Sequence, residues 1–173
     1  MNKPKCLITG SAQGLGLAIK KRFEQTHDII EYDLKYGQDL NQQSVRDQLI
    51  LDLNDCEVFF NNAHGSFQEE LTERAFNLQN KLAIIVSNST VTYYKDNAES
   101  IKNYPGWKDY IKYKKKLTAK IESLHNRQAQ GKDRCAWIIN LKLNYLDTAQ
   151  HRELEESKLD IEHVVDIVKI LVQ

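Results

Sequence analysis

Cysteine and proline are scarce in this 173-residue sequence, and it has no long hydrophobic run. Its cysteines, Cys6, Cys56 and Cys135, lie far apart and lack the CxxC or Cys/His spacing of a metal site. Each lies in or beside an apolar run, where a cysteine usually serves as a small core hydrophobe. An odd number of cysteines fits a reducing compartment, so we expect a cytoplasmic protein without a metal site.

Apolar stretches are too short to span a membrane, and the N-terminus has no signal-peptide core. The chain has 24 basic and 24 acidic residues, so its formal net charge is zero and it has no general attraction to nucleic acid. A lysine-rich run at residues 112–120 is the one candidate for nucleic-acid contact, but no nucleic-acid-binding motif accompanies it. We therefore expect neither nucleic acid nor membrane as a partner.

The two prolines and the absence of repeats or low-complexity tracts leave no interdomain linker. A hydrophobic content of 41% with 28% charged residues is typical of a globular protein. At this length the chain can bury one core and is too short for two ordinary domains. Residues 1–173 are therefore expected to form a single domain.

Short apolar runs alternate with amphipathic segments along the chain. The predicted strands are residues 5–9, 28–33, 57–62, 83–87 and 136–140, and the predicted helices are 14–23, 44–53, 67–82, 107–124 and a last one from about 160. Ser44 is the expected N-cap of the second helix, and Ser66 with Glu69 forms a capping-box pattern before the third. Parallel strands need crossover connections that helices usually supply, so this order predicts an α/β fold with helices on both faces of a parallel sheet.

A glycine-rich turn, Thr9-Gly10-Ser11-Ala12-Gln13-Gly14-Leu15-Gly16, joins the first strand to the first helix. In a Rossmann-type fold this is where a dinucleotide pyrophosphate meets backbone N–H groups and a helix N-terminus. Gly10 permits the tight turn, Gly14 the approach of the diphosphate and Gly16 the packing of helix on strand. The alternative is a glycine-rich turn without a ligand. The predicted cofactor contacts are Gly10, Ser11, Gln13, Gly14, Leu15 and Gly16.

The TGxxxGxG spacing of this turn resembles the cofactor motif of the short-chain dehydrogenase/reductase family. That resemblance implies a doubly wound Rossmann sheet in three α/β/α layers and hydride transfer with a nicotinamide cofactor. Asp33 closes the second strand, where an acidic side chain binds the adenosine ribose hydroxyls and repels a 2′-phosphate. Gln13 also lacks the positive charge common in NADP-using relatives. NAD is therefore expected rather than NADP, although Lys35 leaves the choice open.

Two further segments resemble landmarks of the family. Asp39-Leu40 is similar to the pair that holds the adenine ring, with an ordinary turn aspartate as the alternative. Asn61-Asn62-Ala63 resembles the NNAG motif, which implies that Asn62 and Ala63 lie beside the cofactor. His64 replaces the glycine of that motif. We interpret it as a solvent-facing loop histidine rather than an acid/base group.

Tyr110-Ile-Lys-Tyr-Lys114 resembles the YxxxK signature of the family's active site. Residues four apart share a helix face, so both side chains can reach one substrate. The resemblance implies that Tyr110 exchanges a proton with the substrate oxygen. It also implies that Lys114 lowers the pKa of the tyrosine and holds the nicotinamide ribose. The alternative is a solvated basic helix face with Tyr110 at the edge of the core.

The remaining predicted site residues also come from the resemblance. Ser89 is the expected partner of the substrate carbonyl, and Ser87 is the alternative. Asn77 resembles the asparagine that completes the family's catalytic tetrad, with a polar helix face as the alternative. Thr148 resembles the residue that meets the nicotinamide carboxamide, with an ordinary loop threonine as the alternative.

The chain departs from the family by being short in two places. Residues 62–87 have room for one helix where the family has two, and residues 148–160 retain little of the substrate-binding lid. The missing helix normally contributes to the dimer interface, so any homo-oligomer is expected to use a non-standard one. The expected function is an NAD(P)-dependent oxidoreductase acting on a small carbonyl or alcohol. The alternative is a non-catalytic dinucleotide-binding or regulatory protein derived from the family.

Overall fold

The fold is built on a parallel sheet of five strands in the order β2-β1-β3-β4-β5. A computed structural model describes residues 3–78, 81–89, 106–131, 136–143 and 160–172. The strands are β1 (Lys5–Thr9), β2 (Asp28–Tyr32), β3 (Cys56–Asn61), β4 (Ala83–Ser89) and β5 (Trp137–Leu143). The α-helices are α1 (Gly14–Phe23), α2 (Gln43–Asp52), α3 (Phe67–Phe76), α4 (Trp107–Ala129) and α5 (Ile161–Leu171). This order confirms the predicted α/β architecture.

The sheet separates two hydrophobic cores because successive side chains of a strand point to opposite faces. Leu7 and Phe59 belong to the core under α2, α3 and α4, together with Leu71 and Leu117. Their strand neighbours Ile8 and Phe60 belong to the other core, under α1 and α5. Apolar side chains therefore bury both faces of the sheet, which gives the predicted three-layer α/β/α arrangement.

The chain changes direction across the sheet between β1 and β3. From β1 it moves to β2 on one side and then crosses to β3, β4 and β5 on the other. Ligands of doubly wound sheets bind in the crevice at such a switch point, outside the carboxyl ends of the strands. The turn after β1 and the loop after β3 lie at this switch point, so a ligand-binding site is expected there.

Helix boundaries differ from the predictions at two N-termini. The N-cap of α2 is Gln42 rather than Ser44, so that helix begins before the expected serine. Ser66 does precede α3, but its backbone is already helical and its side chain makes no capping bond. A turn closes just upstream, since Gln68 N–H donates to the Gly65 carbonyl at 3.2 Å. The capping-box prediction is therefore wrong.

The lengths of α3 and α4 also differ from expectation. Helix α3 ends at Phe76 rather than extending to residue 82, and Leu82 is buried from the segment that leads into β4. Helix α4 continues to Ala129, beyond the predicted residue 124. Its apolar stripe ends at Leu124, so apolar periodicity alone underestimates its length.

Two smaller predictions agree with the structure. Asp160 caps α5, with its carboxylate accepting a bond from Glu162 N–H at 3.0 Å. Cys6 and Cys56 are buried core residues without a disulfide, and burial raises the pKa of both thiols. Cys135 lies outside the described residues.

Within the described ranges, no helix is a candidate membrane span and no side-chain cluster is a candidate metal site. None of the helices there combines the length and apolarity needed to cross a membrane. Within the same ranges, no cluster of three or more His, Cys, Asp and Glu side chains is placed to hold a metal ion.

Replacing Gly16 should disturb the packing of α1 against the glycine-rich turn. A Cβ at Gly16 would lie 1.9 Å from the Gly10 carbonyl oxygen, so backbone must move. We expect Gly16→Ala to lower the free energy of unfolding by about 2–4 kcal/mol, measured by urea denaturation. Gly37→Ala is the control, because a Cβ there meets nothing and only the φ of +84° costs energy, about 1 kcal/mol. Equal effects of the two substitutions would contradict the steric account.

Candidate nucleotide site and active site

The glycine-rich turn leaves the N-terminus of α1 open to an anionic group. Gly10 and Gly14 have φ values of +69° and +53°, which side-chain-bearing residues rarely adopt. The N-cap Gln13 is exposed and makes no side-chain capping bond, and no acidic residue lies in the first turn. The first N–H groups of a helix lack intrahelical partners and carry partial positive charge. The turn therefore suits the pyrophosphate of a dinucleotide.

Two residues of this turn that were predicted to contact the cofactor have side chains that are engaged within the protein. Ser11 is fully buried, and its hydroxyl donates to Glu31 at 2.7 Å. Leu15 is buried in the core shared by α1 and α5. For both residues, only the backbone is available to meet a bound nucleotide.

The loop after β3 is tied to the turn after β1 by the hydroxyl of Thr9. Its oxygen accepts bonds from the N–H groups of Asn62 at 2.9 Å and Ala63 at 3.0 Å, and the hydroxyl lies 3.3 Å from the Phe60 carbonyl as donor. The side-chain amide of Asn62 also donates to the Gly10 carbonyl at 3.2 Å. The structure therefore brings Asn62 and Ala63 to the glycine-rich turn, as the resemblance implies. Thr9 begins the motif but was not predicted as a site residue.

Acidic side chains at the end of β2 flank the other side of the turn. Asp33 accepts bonds from the N–H groups of Ala12 at 2.9 Å and Lys35 at 2.8 Å. Glu31 instead forms a salt bridge with Lys20 at 2.7 Å, and this bond raises the pKa of the lysine. The carboxylate of Asp33 thus lies next to the turn, and both groups that donate to it are backbone N–H groups rather than basic side chains.

The Asp39-Leu40 pair divides into a turn residue and a core residue. Asp39 accepts bonds from both nitrogens of Asn41, which lowers the pKa of its carboxyl. Leu40 is buried in the core beneath α2. The structure thus gives Asp39 the turn geometry of the alternative interpretation, and it leaves only the backbone of Leu40 available to an adenine ring.

Tyr110 and Lys114 lie in the first two turns of α4 and face the sheet. The Lys114 Nζ is 5.6 Å from the centre of the Tyr110 ring. It donates to the Gln68 Oε1 at 2.8 Å and to the Ser87 carbonyl at 3.0 Å. The side chain is only 4% exposed, which contradicts the alternative of a solvated basic face for this lysine. Burial lowers the pKa of Lys114 to about 7.

Gln68 in the first turn of α3 is a site residue that the sequence analysis missed. It is 2% exposed, and its Nε2 donates to the carbonyls of Asn61 at 2.7 Å and Ser87 at 3.0 Å. A signal was present in the sequence. Gln68 has helical spacing to Leu71 and Ala75, so it is a polar residue on the apolar face of its helix.

Asn77 is not at the site, and the structure corrects that prediction. It is the exposed C-cap of α3, where its Oδ1 accepts a bond from Arg127 at 3.1 Å. Arg127 lies roughly 25 Å beyond Tyr110 along the axis of α4. Because α3 starts at the carboxyl ends of the strands and runs away from them, its first turn reaches the site and its last turn does not.

His64 adjoins the tyrosine despite its exposed position in the loop. Its ring centre lies 5.2 Å from that of Tyr110, and the planes are tilted by 56°. Partial burial and the nearby charge of Lys114 lower the pKa of this histidine. The interpretation as a loop histidine is therefore correct about exposure but overlooked the contact with Tyr110.

The serine and threonine predictions are only partly covered by the structure. Ser87 is 9% exposed, and its carbonyl accepts the bonds from Lys114 and Gln68. Ser89 is the last residue of β4, where its backbone pairs with Leu143. Ser87 and Ser89 both stay candidates for the substrate contact. Thr148 lies outside the described residues.

A continuous set of contacts runs from the glycine-rich turn to the buried lysine. Gly10 adjoins Ala63, because a Cβ on this glycine would lie 3.1 Å from the Ala63 Cα. The next residue, His64, contacts Tyr110, and Lys114 lies against the same tyrosine ring. A helix N-terminus suited to phosphate and a tyrosine–lysine pair are thereby connected through neighbouring residues outside the carboxyl ends of the strands.

Comparison with known proteins rests on structure. No protein-family model and no curated protein matches the chain. A short-chain dehydrogenase from Streptomyces avermitilis matches with a TM-score of 0.72 at 14% identity, covering 99% of this chain and 84% of that one. One from Burkholderia cenocepacia in complex with NADP gives 0.71 at 13%, with coverage of 99% and 84%. The 3-alpha-hydroxysteroid dehydrogenase of Pseudomonas sp. B-0831, complexed with NADH, gives 0.66 at 14%, with 98% and 89%.

These matches define the class of fold. The strand order makes the chain a doubly wound parallel α/β protein, and the structural matches show that this fold is Rossmann-like. More specifically, it has the short-chain dehydrogenase fold, so the resemblance inferred from the TGxxxGxG turn is confirmed at the level of fold.

Replacing Lys114 should stabilise the protein at neutral pH. Its pKa is lower in the folded chain than the ordinary 10.5, so the unfolded chain binds more protons between about pH 7 and 10.5. The cost of the buried charge is complete below pH 7 and declines as the pH rises. We expect Lys114→Met to raise the free energy of unfolding by about 1–4 kcal/mol at pH 7 and by less at pH 9.5, measured by urea denaturation.

The exposed Lys116→Met is the control for this prediction, with an expected change within about 0.5 kcal/mol at both pH values. A gain for Lys114→Met that does not change with pH would contradict the assignment of the lowered pKa to this residue.

Proposed function

We propose that the protein is an NAD(P)-dependent oxidoreductase of the short-chain dehydrogenase type, acting on a small carbonyl or secondary alcohol. The observation that carries the proposal is the row of contacts from the glycine-rich turn through Ala63 and His64 to Tyr110 and Lys114. A nucleotide bound with its pyrophosphate at α1 and extended along this row would bring its nicotinamide to Tyr110. The dehydrogenase fold of the chain supports the same arrangement.

The nicotinamide cofactor would supply the hydride acceptor or donor, and the protein would supply binding and proton transfer. Backbone N–H groups of residues 12–16 would hold the pyrophosphate at the positive end of α1. Asn62 and Ala63 would line the crevice between the turn and α4. Asp39 stays a candidate for the adenine contact, and Thr148 for the carboxamide contact.

We favour NAD over NADP because of the charge beside the turn. Asp33 adjoins the Ala12 N–H, where the adenosine ribose is expected, and a 2′-phosphate would meet its carboxylate. Lys20 is paired with Glu31, so it does not offset that charge. Lys35 is exposed beside Asp33 and is the one basic side chain in this group that favours NADP. One structural neighbour is complexed with NADP and another with NADH, so the neighbours favour neither.

In the proposed reaction, the Tyr110 hydroxyl is the proton donor to a ketone oxygen or the proton acceptor from an alcohol. Lys114 promotes ionisation of the tyrosine through its positive charge. Ser89, or Ser87 in its place, orients the substrate oxygen. Unlike these side chains, Asn77 has no part in the proposal, since it lies at the far end of α3.

A second candidate function is nucleotide binding without turnover. The observation that favours it is the orientation of Lys114, whose ammonium donates to Gln68 and Ser87 inside the protein. A lysine with two of its three N–H groups so used offers fewer contacts to a ribose than the family resemblance implies. Such a protein would keep the glycine-rich turn and sense nucleotide rather than reduce a substrate.

Replacing Tyr110 separates the two functions. We expect the purified protein to bind NADH more tightly than NADPH in a fluorescence titration and to oxidise NADH with a panel of small ketones and aldehydes. Tyr110→Phe should leave the Kd for NADH within about threefold and lower kcat by about 10²–10⁴-fold, because it removes only the proton-transfer group.

Tyr113→Phe, on the same helix, is the matched control and should keep its activity. NADH binding without turnover in the wild type would support the second function. Absence of binding of either nucleotide at millimolar concentration would exclude both.

A further inference from the structure

A buried glutamine outside the recognised motifs holds the lysine of the candidate active site. Gln68 reaches from the first turn of α3 to the Lys114 Nζ, where its Oε1 accepts a bond of 2.8 Å. Both side chains are almost completely buried. The second acceptor of this ammonium is the Ser87 carbonyl on β4. Helices α3 and α4 and strand β4 thus meet at one charged atom.

The orientation of the Gln68 amide is fixed by its other partners. Its Nε2 has two N–H groups, and these meet the carbonyls of Asn61 and Ser87. If the amide were flipped, its NH₂ group would face the ammonium and its oxygen would face two carbonyls, so no bond would be satisfied. The Oε1 therefore has to face Lys114.

A polar pair holds the backbone of α3 beside this amide. The Asn61 side chain donates to the Gln68 carbonyl and to Thr72 Oγ1, each at 2.8 Å. Thr72 is fully buried and also donates to the Gln68 carbonyl at 2.8 Å. None of these three bonds touches Lys114. The first turn of α3 is thereby fixed to β3, and the bond from Asn61 to the Gln68 carbonyl does not need the Thr72 hydroxyl.

We propose that Gln68 is a positioning residue, which fixes the Lys114 ammonium against the Tyr110 ring and leaves it one N–H group for a bound ribose or for the tyrosine. The inference rests on the proposed function, in which Tyr110 and Lys114 act in hydride transfer. The family resemblance had suggested that Asn77 completes the catalytic tetrad. Gln68, in the first turn of α3, takes that place through a side-chain bond to Lys114. The shortened segment between β3 and β4 thus retains support for the active site.

Gln68→Glu and Gln68→Met change this contact in opposite ways. The glutamate places a carboxylate beside the ammonium, which should raise the pKa of Lys114 from about 7 by about one unit or more. The methionine removes the acceptor and should lower it. Thr72→Val is the matched control, because it removes a hydroxyl group from the same buried polar cluster but no contact with the lysine. In this variant the pKa of Lys114 should stay within about 0.3 units of wild type.

The titration of Lys114 can be followed without turnover from the ¹³Cε and ¹⁵Nζ signals of isotope-labelled lysine. The signal of Lys114 is assigned by its absence in Lys114→Met. The pH profile of kcat should move in the same direction as the Lys114 titration in Gln68→Glu. The Kd for NADH should stay within about threefold. A structural role alone would give Thr72→Val and Gln68→Met equal effects. If Gln68→Met does not fold, Gln68→Asn, whose amide is one methylene shorter, serves as the variant without the contact.

Two results would overturn the inference. One is a Lys114 titration that is the same in wild type and Gln68→Glu, or that moves as much in Thr72→Val. The other is a shifted titration with an unchanged kcat profile, which would make the contact structural only. Failure of the proposed function is recognised separately, because a wild type that binds no NADH fails in the titration with nucleotide, whatever the lysine signals show.

Discussion

The hydroxyl group of Thr9 joins the ends of β1 and β3, because it accepts bonds from two consecutive N–H groups after β3. This contact holds the loop after β3 against Gly10, and therefore beside the N-terminus of α1. Since His64 follows directly in that loop, its contact with Tyr110 depends on the same anchor. The glycine-rich turn and the Tyr110–Lys114 pair are thereby linked by a few residues of chain.

Most of the fold was predictable because it is encoded in short stretches of sequence. Apolar runs such as Val58-Phe59-Phe60 have to be buried on both faces, and the spacing of Leu117, Ile121 and Leu124 allows only a helix. The glycine-rich turn was recognisable because each glycine has a steric reason that does not depend on distant residues. Predictions failed where the outcome depends on tertiary neighbours. Ser66 has a capping sequence, but an upstream turn had already started its helix.

The candidate active site shows the same difference between features encoded locally and features that depend on tertiary neighbours. Tyr110 and Lys114 follow from a spacing within one helix, whereas the partner of Lys114 is set by the direction in which α3 leaves the sheet. Asn77 fitted the expected residue type and failed because it lies at the wrong end of that helix. Gln68 was overlooked because a single buried polar residue acquires meaning only when its partner on another helix is known.

The exposed face of α4 carries Lys112, Lys115 and Lys116, so two copies pairing symmetrically through this face would bring like charges together. The charge disfavours a homo-oligomer that pairs through this face of α4. It does not affect the crevice, which opens at the carboxyl ends of the strands.

The proposed function requires that a nicotinamide dinucleotide binds along the residues from the glycine-rich turn to Tyr110. The most direct test is an ¹⁵N-resolved NMR titration of the folded protein with NADH. We expect the amide signals of residues 12–16, Asp33, Ala63, His64 and Tyr110 to move together with one Kd, while those of Asn77 and the C-terminal end of α4 stay in place. Shifts confined to other surfaces, or unchanged signals at residues 12–16 at saturating NADH, would contradict the proposed function.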